Sequence, residues 1–343
     1  MTSLAILQGG LVCGVGLDAA SACAAIRASA TNFQQTRFTD RWDEQIVAAE
    51  VDLGPPTLVW DKLVAMAGRA IRECSREIDG DAFESVPLLL CVSEPGRPGR
   101  LSALDASLLD AVQRAAGARF HPTLSRVVPG GGVAALQALQ LANSMVLRDE
   151  CKLAIIAGAD SFLLDRTLTA LERDGRLLTS QNSDGFIPAE GGSALLVGRP
   201  TACPSLLCTG LGFGVESATL GSALPQRADG LVHAFKEALR EARCDLGDID
   251  WRIADLCGEQ YFFKEAALAL TRALRTRKAE MPLWHPADVL GNIGAAAGAM
   301  LVTVALFALR RGYAPGARLL CHAGNDAGQR GAAILEFVKA GPL

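Results

Sequence analysis

Nearly continuous apolar runs alternate along the chain with segments of helical periodicity. The runs at 86–92, 153–157 and 318–321 show no polar alternation, which is typical of strands that are covered on both faces of a sheet. Apolar residues recur at helical spacing in 61–73 and 229–241. The alternation of buried strands with helices predicts an α/β fold.

Two further helices are expected in the interior. In the segment 126–142, an extended run enters a turn of three glycines at 130–132, and an apolar helix leaves it. Such a turn would hold a nucleophilic side chain at a helix N-terminus, but these glycines carry no reactive atom. The segment 299–311 is apolar almost all round, so we expect this helix to be buried between two layers.

The chain also contains an internal repeat. Helix-like and strand-like segments recur in the same order at an offset of 166 to 168 residues. The matched pairs are Gly132 with Gly298, Asp160 with Asp326, Leu90–Cys91 with Leu256–Cys257, and 61–73 with 229–241. Two prolines interrupt the pattern within 199–204. We therefore predict two copies of one α/β unit, 1–200 and 201–343, within one compact molecule.

Composition narrows the classes of function. The chain has 343 residues, half of them hydrophobic, and a net charge of −4, with no basic block of the kind that binds nucleic acid. The apolar segment 4–15 is too short to cross a bilayer and lacks the basic start of a secretory leader. The ten cysteines are dispersed, without zinc-ligand spacing. We expect buried free thiols, a cytoplasmic location, and no bound metal, nucleic acid or membrane.

Three motifs resemble those of the β-ketoacyl-ACP synthases, which have the thiolase fold. The segment 183–197, S-D-G-F-I-P-A-E-G-G-S-A-L-L-V, is similar to their D-G-F-V-x-G-E-G-A segment. The segment 290–299, L-G-N-I-G-A-A-A-G-A, resembles their G-H-x-x-G-A-A-G turn, and 322–337 resembles their glycine-rich loop and closing strand. The resemblance covers almost the whole chain. It implies a thiolase-like fold, with duplicated α/β halves in a five-layer αβαβα sandwich.

The resemblance also implies where a condensing site would lie. Synthases carry the acyl chain on a cysteine at the glycine turn, and that cysteine falls on Gly132. Their first histidine falls near Cys257, and their lysine falls on or near Ala287. Their second histidine falls on Asn292, where the ketoacyl synthase III branch also has asparagine. Gly132, Cys257 and Asn292 are therefore expected to be vestigial positions, with no catalytic residue and no cofactor.

Other residues allow competing interpretations. Cys257 is either a relocated nucleophile or a small buried residue at a strand end, equivalent to Cys91. Cys321 and His322 are neighbours on a strand, so their side chains point to opposite faces and do not form a dyad. The loop 94–100, E-P-G-R-P-G-R, is either a binding loop or a solvent loop.

Three hypotheses of function follow. The first is an inactive adaptor or co-chaperone that binds another protein, because the chain resembles small ketosynthase-like proteins encoded beside type VI secretion effectors. The second is a non-catalytic partner subunit of an active synthase, similar to chain-length factors. The third is an acyltransferase that uses Cys257 with Asn292, for which acyl-CoA or an acyl-carrier protein would be the ligand. The resemblance further implies a homodimer or heterodimer, formed at the sheet edge near 126–129.

Overall fold

The protein is described by a computed structural model that covers residues 3–54, 58–201 and 205–339. The strands are β1 (Leu4–Cys13), β2 (Gln34–Thr39), β3 (Gln45–Ala48), β4 (Leu88–Val92), β5 (Arg126–Pro129), β6 (Leu153–Ser161), β7 (Glu190–Gly198), β8 (Ser205–Val215), β9 (Trp251–Ala254), β10 (Leu283–Trp284), β11 (Arg318–Gly324) and β12 (Gln329–Val338). The helices are α1 (Ala19–Arg27), α2 (Val59–Cys74), α3 (Leu104–Ala116), α4 (Ala134–Leu147), α5 (Asp165–Arg173), α6 (Asp229–Ala242), α7 (Gln260–Ala273), α8 (Ala287–Leu290) and α9 (Ala297–Arg310). Short 3-10 turns, Gly131–Val133 and Gly294–Ala296, lead directly into α4 and α9.

The strands confirm the duplication. Ten of them form one sheet, with the order β10-β9-β11-β12-β8-β1-β7-β6-β4-β5. Read from either edge to the centre, each half has two parallel pairings followed by two antiparallel pairings. The halves join where Leu4–Ile6 of β1 pairs with Leu206–Cys208 of β8. The same strand order and directions on both sides identify two copies of one unit.

Helices cover both outer faces and fill the middle. The apolar faces of α2 and α3 pack on the outer side of the first half, and those of α6 and α7 pack on the second half. Helices α4 and α9 lie in the central core between the two halves. This is the five-layer αβαβα arrangement that the sequence predicts, and the α/β fold class is confirmed.

The central helices confirm one prediction, the burial of 299–311, and contradict another, the pairing of Gly132 with Gly298. The predicted buried helix at 299–311 is α9, and its first ten residues, 297–306, are all buried. However, α4 begins at Ala134 and α9 at Ala297, which are 163 residues apart, so the pairing of Gly132 with Gly298 is wrong. Helices rich in alanine and leucine match one another when they are shifted by about one turn, because their apolar positions recur every 3.6 residues.

The proposed equivalence of Cys91 and Cys257 is also wrong. Cys91 lies inside β4 and pairs with Gly158 of β6. Cys257 lies three residues beyond Ala254, the last residue of β9, in the loop that leads to α7. A two-residue match of leucine and cysteine carries too little information to fix the register of two strands.

Other expectations concern the thiols, the boundary and the membrane. The nine cysteines within the described ranges are free, and seven of them are buried. The predicted boundary at 199–204 lies between β7 and β8, and its residues 202–204 are outside the described residues. The division into 1–200 and 201–343 therefore stays a prediction. No helix in the described part of the chain is both long and apolar enough to cross a membrane.

The central position of α9 leads to a testable prediction about the stability of the protein. Leu301 is fully buried in α9, whereas Leu147 at the end of α4 is 49% exposed. We expect Leu301→Ala to lower the free energy of unfolding by about 2–5 kcal/mol, because it opens a cavity between the halves. Leu147→Ala is the matched control and should cost less than about 1 kcal/mol. Equal losses in urea denaturation would contradict the central role of α9.

Candidate functional site

A small cavity lies where the turns before α4 and α9 meet. It is lined by Gly132, Cys257 and Asn292, so the structure brings the three vestigial positions together. The volume of the cavity is about 70 Å³. Pockets that hold small-molecule ligands usually measure about 300–1,000 Å³. The cavity is therefore large enough for a few water molecules or a very small group, and too small for an acyl chain.

Gly132 is packed closely against the second half of the chain. A β-carbon at this position would lie 2.5 Å from the carbonyl oxygen of Gly324 and 2.9 Å from Oδ2 of Asp255. Real β-carbons essentially never approach another atom that closely, so Gly132, to which the resemblance assigns the synthase cysteine, has no room for a side chain. The preceding Gly131 has a φ of +57°, a left-handed conformation that glycine adopts most easily.

Cys257 and Asn292 contact each other, but their surroundings disfavour a nucleophile. The amide Nδ2 of Asn292 lies 3.4 Å from Sγ of Cys257, and its Oδ1 accepts a hydrogen bond of 2.9 Å from the Gly294 N–H. Burial raises the pKa of the Cys257 thiol well above its usual value, and the carboxylates of Glu259 and Asp255 raise that pKa further. Because the thiolate is the reactive form, a raised pKa disfavours nucleophilic attack by this cysteine at neutral pH.

Three arginines with largely buried side chains, each paired with carboxylates, line the cavity. Arg97 donates to Asp160 at 2.6 Å and to Glu94 at 2.9 Å. Arg97 lies in the loop 94–100, and its side chain, 9% exposed, is engaged by these carboxylates, whereas Pro95, Gly96 and Pro98 of the same loop are exposed. The other two sets are Arg176 with Glu259 and Asp326, and Arg330 with Glu265.

Each of these arginines also lies over a phenylalanine ring. The guanidinium carbon lies 4.4 Å from the ring centroid in the Arg97–Phe162 pair. The distance is 5.6 Å for Arg176 over Phe186 and 5.7 Å for Arg330 over Phe262. All six side chains line the cavity. Cation–π contacts of this kind are stronger when the charge is desolvated, so the three sets fill the site with mutually stabilising groups.

The sequence does not single out Arg176 or Arg330, and it indicates Arg97 only as part of the loop 94–100. Arg97 and Asp160 are 63 residues apart, Arg176 and Glu259 are 83 apart, and Arg330 and Glu265 are 65 apart. No local motif joins such partners, and an arginine that will be buried looks in the sequence like any other arginine. The repeated Asp160 and Asp326 were the available signal, because both turned out to bind an arginine at the cavity.

Burial also changes the ionisation of the carboxyl groups. Burial raises the pKa of Asp255 from its usual 3.8 to about 6, although the Gly324 N–H donates to its Oδ2 at 2.9 Å. The pKa values of Asp160, Glu259 and Glu265 are raised in the same way, with burial as the largest cause. The cavity is therefore a place where negative charge is costly unless an arginine or a backbone N–H compensates for it.

His322 lines the same cavity as a neutral side chain. Burial lowers the pKa of His322 to about 3, and the positive charges of Arg252 and Arg330 add to this effect. Its Nε2 atom has no hydrogen-bond partner, and its ring packs against Phe235. Cys321 belongs to the central core on the other side of the strand, which agrees with the prediction that the two residues form no dyad. Among the described residues, no group of three or more His, Cys, Asp or Glu side chains is placed to hold a metal ion.

Comparison with known proteins supports the resemblance seen in the sequence. No family model matches the chain. Over 135 residues, 38% of this chain, it is 32% identical to polyketide beta-ketoacyl synthase 2 of Streptomyces coelicolor. The chain spans about a third of the length of that relative, since the match covers 32% of it.

Solved structures match almost the whole fold. The ishigamide ketosynthase/chain length factor aligns over 98% of this chain and 99% of its own, with a TM-score of 0.77 and 16% identity. The ketosynthase ApeO in complex with its chain length factor ApeC from Xenorhabdus doucetiae aligns over 98% of both chains, with a TM-score of 0.74 and 14% identity. The chain is thus β-ketoacyl synthase-like in part of its sequence and thiolase-like in its fold.

The close contact at Gly132 can be tested by adding one methyl group. We expect Gly132→Ala to destabilise the protein by about 1–3 kcal/mol, because the β-carbon meets a backbone carbonyl that cannot rotate away. Gly80→Ala is the control, since a β-carbon at Gly80 meets nothing within 4 Å. Thermal unfolding of both variants checks this, and a Gly132→Ala variant as stable as Gly80→Ala would show that the turns can separate.

The raised pKa of Asp255 gives stability a specific pH dependence. The pKa of Asp255 in the folded protein is about 6, above its usual 3.8. The contribution of Asp255 to the free energy of unfolding is therefore present below about pH 4 and is lost as the pH rises through 6. We expect Asp255→Asn to be more stable than the native protein at pH 8, by roughly 2–3 kcal/mol at about 1.4 kcal/mol per pKa unit. The difference should vanish near pH 4.

Urea denaturation across this pH range measures the effect of Asp255→Asn. The control is Asp61→Asn, the same substitution at an exposed carboxylate of α2. A stability difference between Asp255→Asn and the native protein that stays constant from pH 4 to pH 8 would contradict the assignment.

Proposed function

We propose that this chain is a catalytically inactive ketosynthase-like protein that works by binding another protein. One observation carries the proposal: at Gly132, to which the resemblance assigns the synthase nucleophile, the space for a side chain is closed by the Gly324 carbonyl and the Asp255 carboxylate. Acyl transfer through a covalent intermediate needs a nucleophile and room for the acyl group. A cavity of about 70 Å³ filled by ion pairs provides neither.

The first candidate role is that of an adaptor or co-chaperone, such as one that loads type VI secretion effectors. The fold has been kept while the reactive groups have been replaced, which favours a role for its surface. The surface we assign to the partner is the outer side of β5, because β5 forms one end of the main sheet. This assignment follows the synthases, which dimerise at the corresponding strand.

The second candidate role is that of a non-catalytic partner subunit, similar to a chain-length factor. Two of the solved structures that share the fold are described as containing a ketosynthase and a chain length factor. Both align over nearly their full length. This candidate therefore predicts a different partner, an active synthase, at the same surface.

The third hypothesis, an acyltransferase that uses Cys257 and Asn292, has less support. The two side chains are within 3.4 Å of each other, as such a site would need. However, the raised pKa of Cys257 opposes formation of the thiolate, and the nearby Glu259 and Asp255 oppose it further. A nucleophilic cysteine is normally activated by a positive neighbour instead.

The proposal can be tested by purifying the chain together with each protein encoded beside its own gene. We expect a stoichiometric complex with one of them. An effector or its adaptor would identify the first role, and a synthase would identify the second. Val127→Asp on β5 should weaken the complex, whereas Val47→Asp, on the partly exposed strand β3, should not.

The opposite result would be that the chain alone forms a carbon–carbon bond from acyl and malonyl thioesters and that no neighbouring protein binds it. That outcome would overturn both the inactivity and the binding role.

A further inference from the structure

The free edge at β5 is poorly suited to main-chain pairing. The strand has only four residues, Arg126–Pro129, and it ends with a proline that has no N–H to donate. Short edge strands with proline and exposed charge are devices that prevent strands from pairing. Arg126 and Pro129 are both exposed on this edge. A partner at this edge must therefore be held largely by side chains.

Three exposed arginines lie on and beside this edge without a carboxylate partner. Arg114 is at the end of α3, Arg119 is in the connection from α3 to β5, and Arg126 begins β5. No ion pair to any of them occurs among the described residues. Arg126 instead donates from Nε to its neighbour, the Leu124 carbonyl, at 3.3 Å.

Arg114 and Arg119 line a cleft of about 610 Å³ between the end of α3 and the start of β5. Asp110 is the carboxylate that lines this cleft, and it accepts a hydrogen bond from Gln113 at 3.2 Å. The turn Gly80–Ser85 approaches the same face, because the rings of Phe83 and Phe120 meet edge-on at 5.4 Å. Among the described side chains, neither arginine forms an ion pair with a carboxylate. The cleft thus keeps unpaired positive charge although Asp110 lines it.

We propose that the partner bound at β5 is a different protein that presents an acidic segment to Arg114, Arg119 and Arg126. This inference rests on the proposed binding function and names the chemistry of the partner. Arginine suits the task because its planar guanidinium can bind a carboxylate through two hydrogen bonds.

A second copy of this chain fits the surface less well. A two-fold dimer brings the same patch of both copies together. Pairing β5 with itself would therefore place the arginines of both copies close to one another, and like charges across an interface disfavour association. The same pairing would include Pro129 twice, with no N–H from either proline.

Fluorescence anisotropy with a short labelled polyglutamate peptide tests the acidic character of the ligand. The test variant is the triple substitution Arg114→Gln, Arg119→Gln and Arg126→Gln. The control removes three other exposed arginines that already pair with carboxylates, Arg148→Gln, Arg173→Gln and Arg240→Gln, so both variants lose the same charge. We expect the test variant to bind the peptide at least about tenfold more weakly, while the control keeps the native affinity.

Three results would overturn the inference: no binding of polyglutamate by the native protein, equal losses in both triple variants, or no loss in the test variant. Light scattering of the native protein alone adds an independent readout, with a monomer expected. A homodimer that dissociates on Val127→Asp would overturn the choice of a different protein as partner. Carbon–carbon bond formation by the chain would refute the proposed function but would leave the peptide result unchanged.

Discussion

The close packing of the two glycine turns against residues at the ends of strands is the constraint on which the site depends. Gly132 lies so close to the Gly324 carbonyl that a β-carbon would be 2.5 Å from its oxygen. Gly294, at the matching turn of the second half, would place a β-carbon 2.1 Å from the Asp160 carboxylate. Helices α4 and α9 start at these turns, so the contact sets how closely the two halves pack. A reactive side chain at Gly132 is incompatible with that packing.

Buried ion pairs then occupy what remains of the site. Arg97, Arg176 and Arg330 are each held by carboxylates and each lie over a phenylalanine ring. Removing one partner of a buried pair typically costs about 3–5 kcal/mol, because it leaves an uncompensated charge away from water. Arg176 joins the first half to Glu259 and Asp326 of the second half. The charges therefore hold the halves together in the region where a synthase would bind its substrate.

The sequence was sufficient for the architecture and for part of the site. Buried strands and helices have a regular spacing, so the duplicated α/β fold and the burial of α9 could be predicted. Gly132, Cys257 and Asn292 were placed through a resemblance, and the structure brings them around one cavity. The pairs Arg97–Asp160, Arg176–Glu259 and Arg330–Glu265 could not be predicted, because their members are 63 to 83 residues apart and meet only through the tertiary fold. The register errors arose where alanine-rich helices or a two-residue match allowed more than one alignment.

Intact-mass spectrometry of the native protein after incubation with acyl-CoA tests the central claim most directly, with peptide mapping to locate any adduct. A parallel reaction with iodoacetamide reports thiol reactivity, and the partly exposed Cys244 serves as the internal reference. The account predicts no acyl adduct, and slower alkylation of Cys257 than of Cys244 unless the protein is denatured. A stoichiometric acyl group on Cys257 would contradict it and would make the chain an acyltransferase.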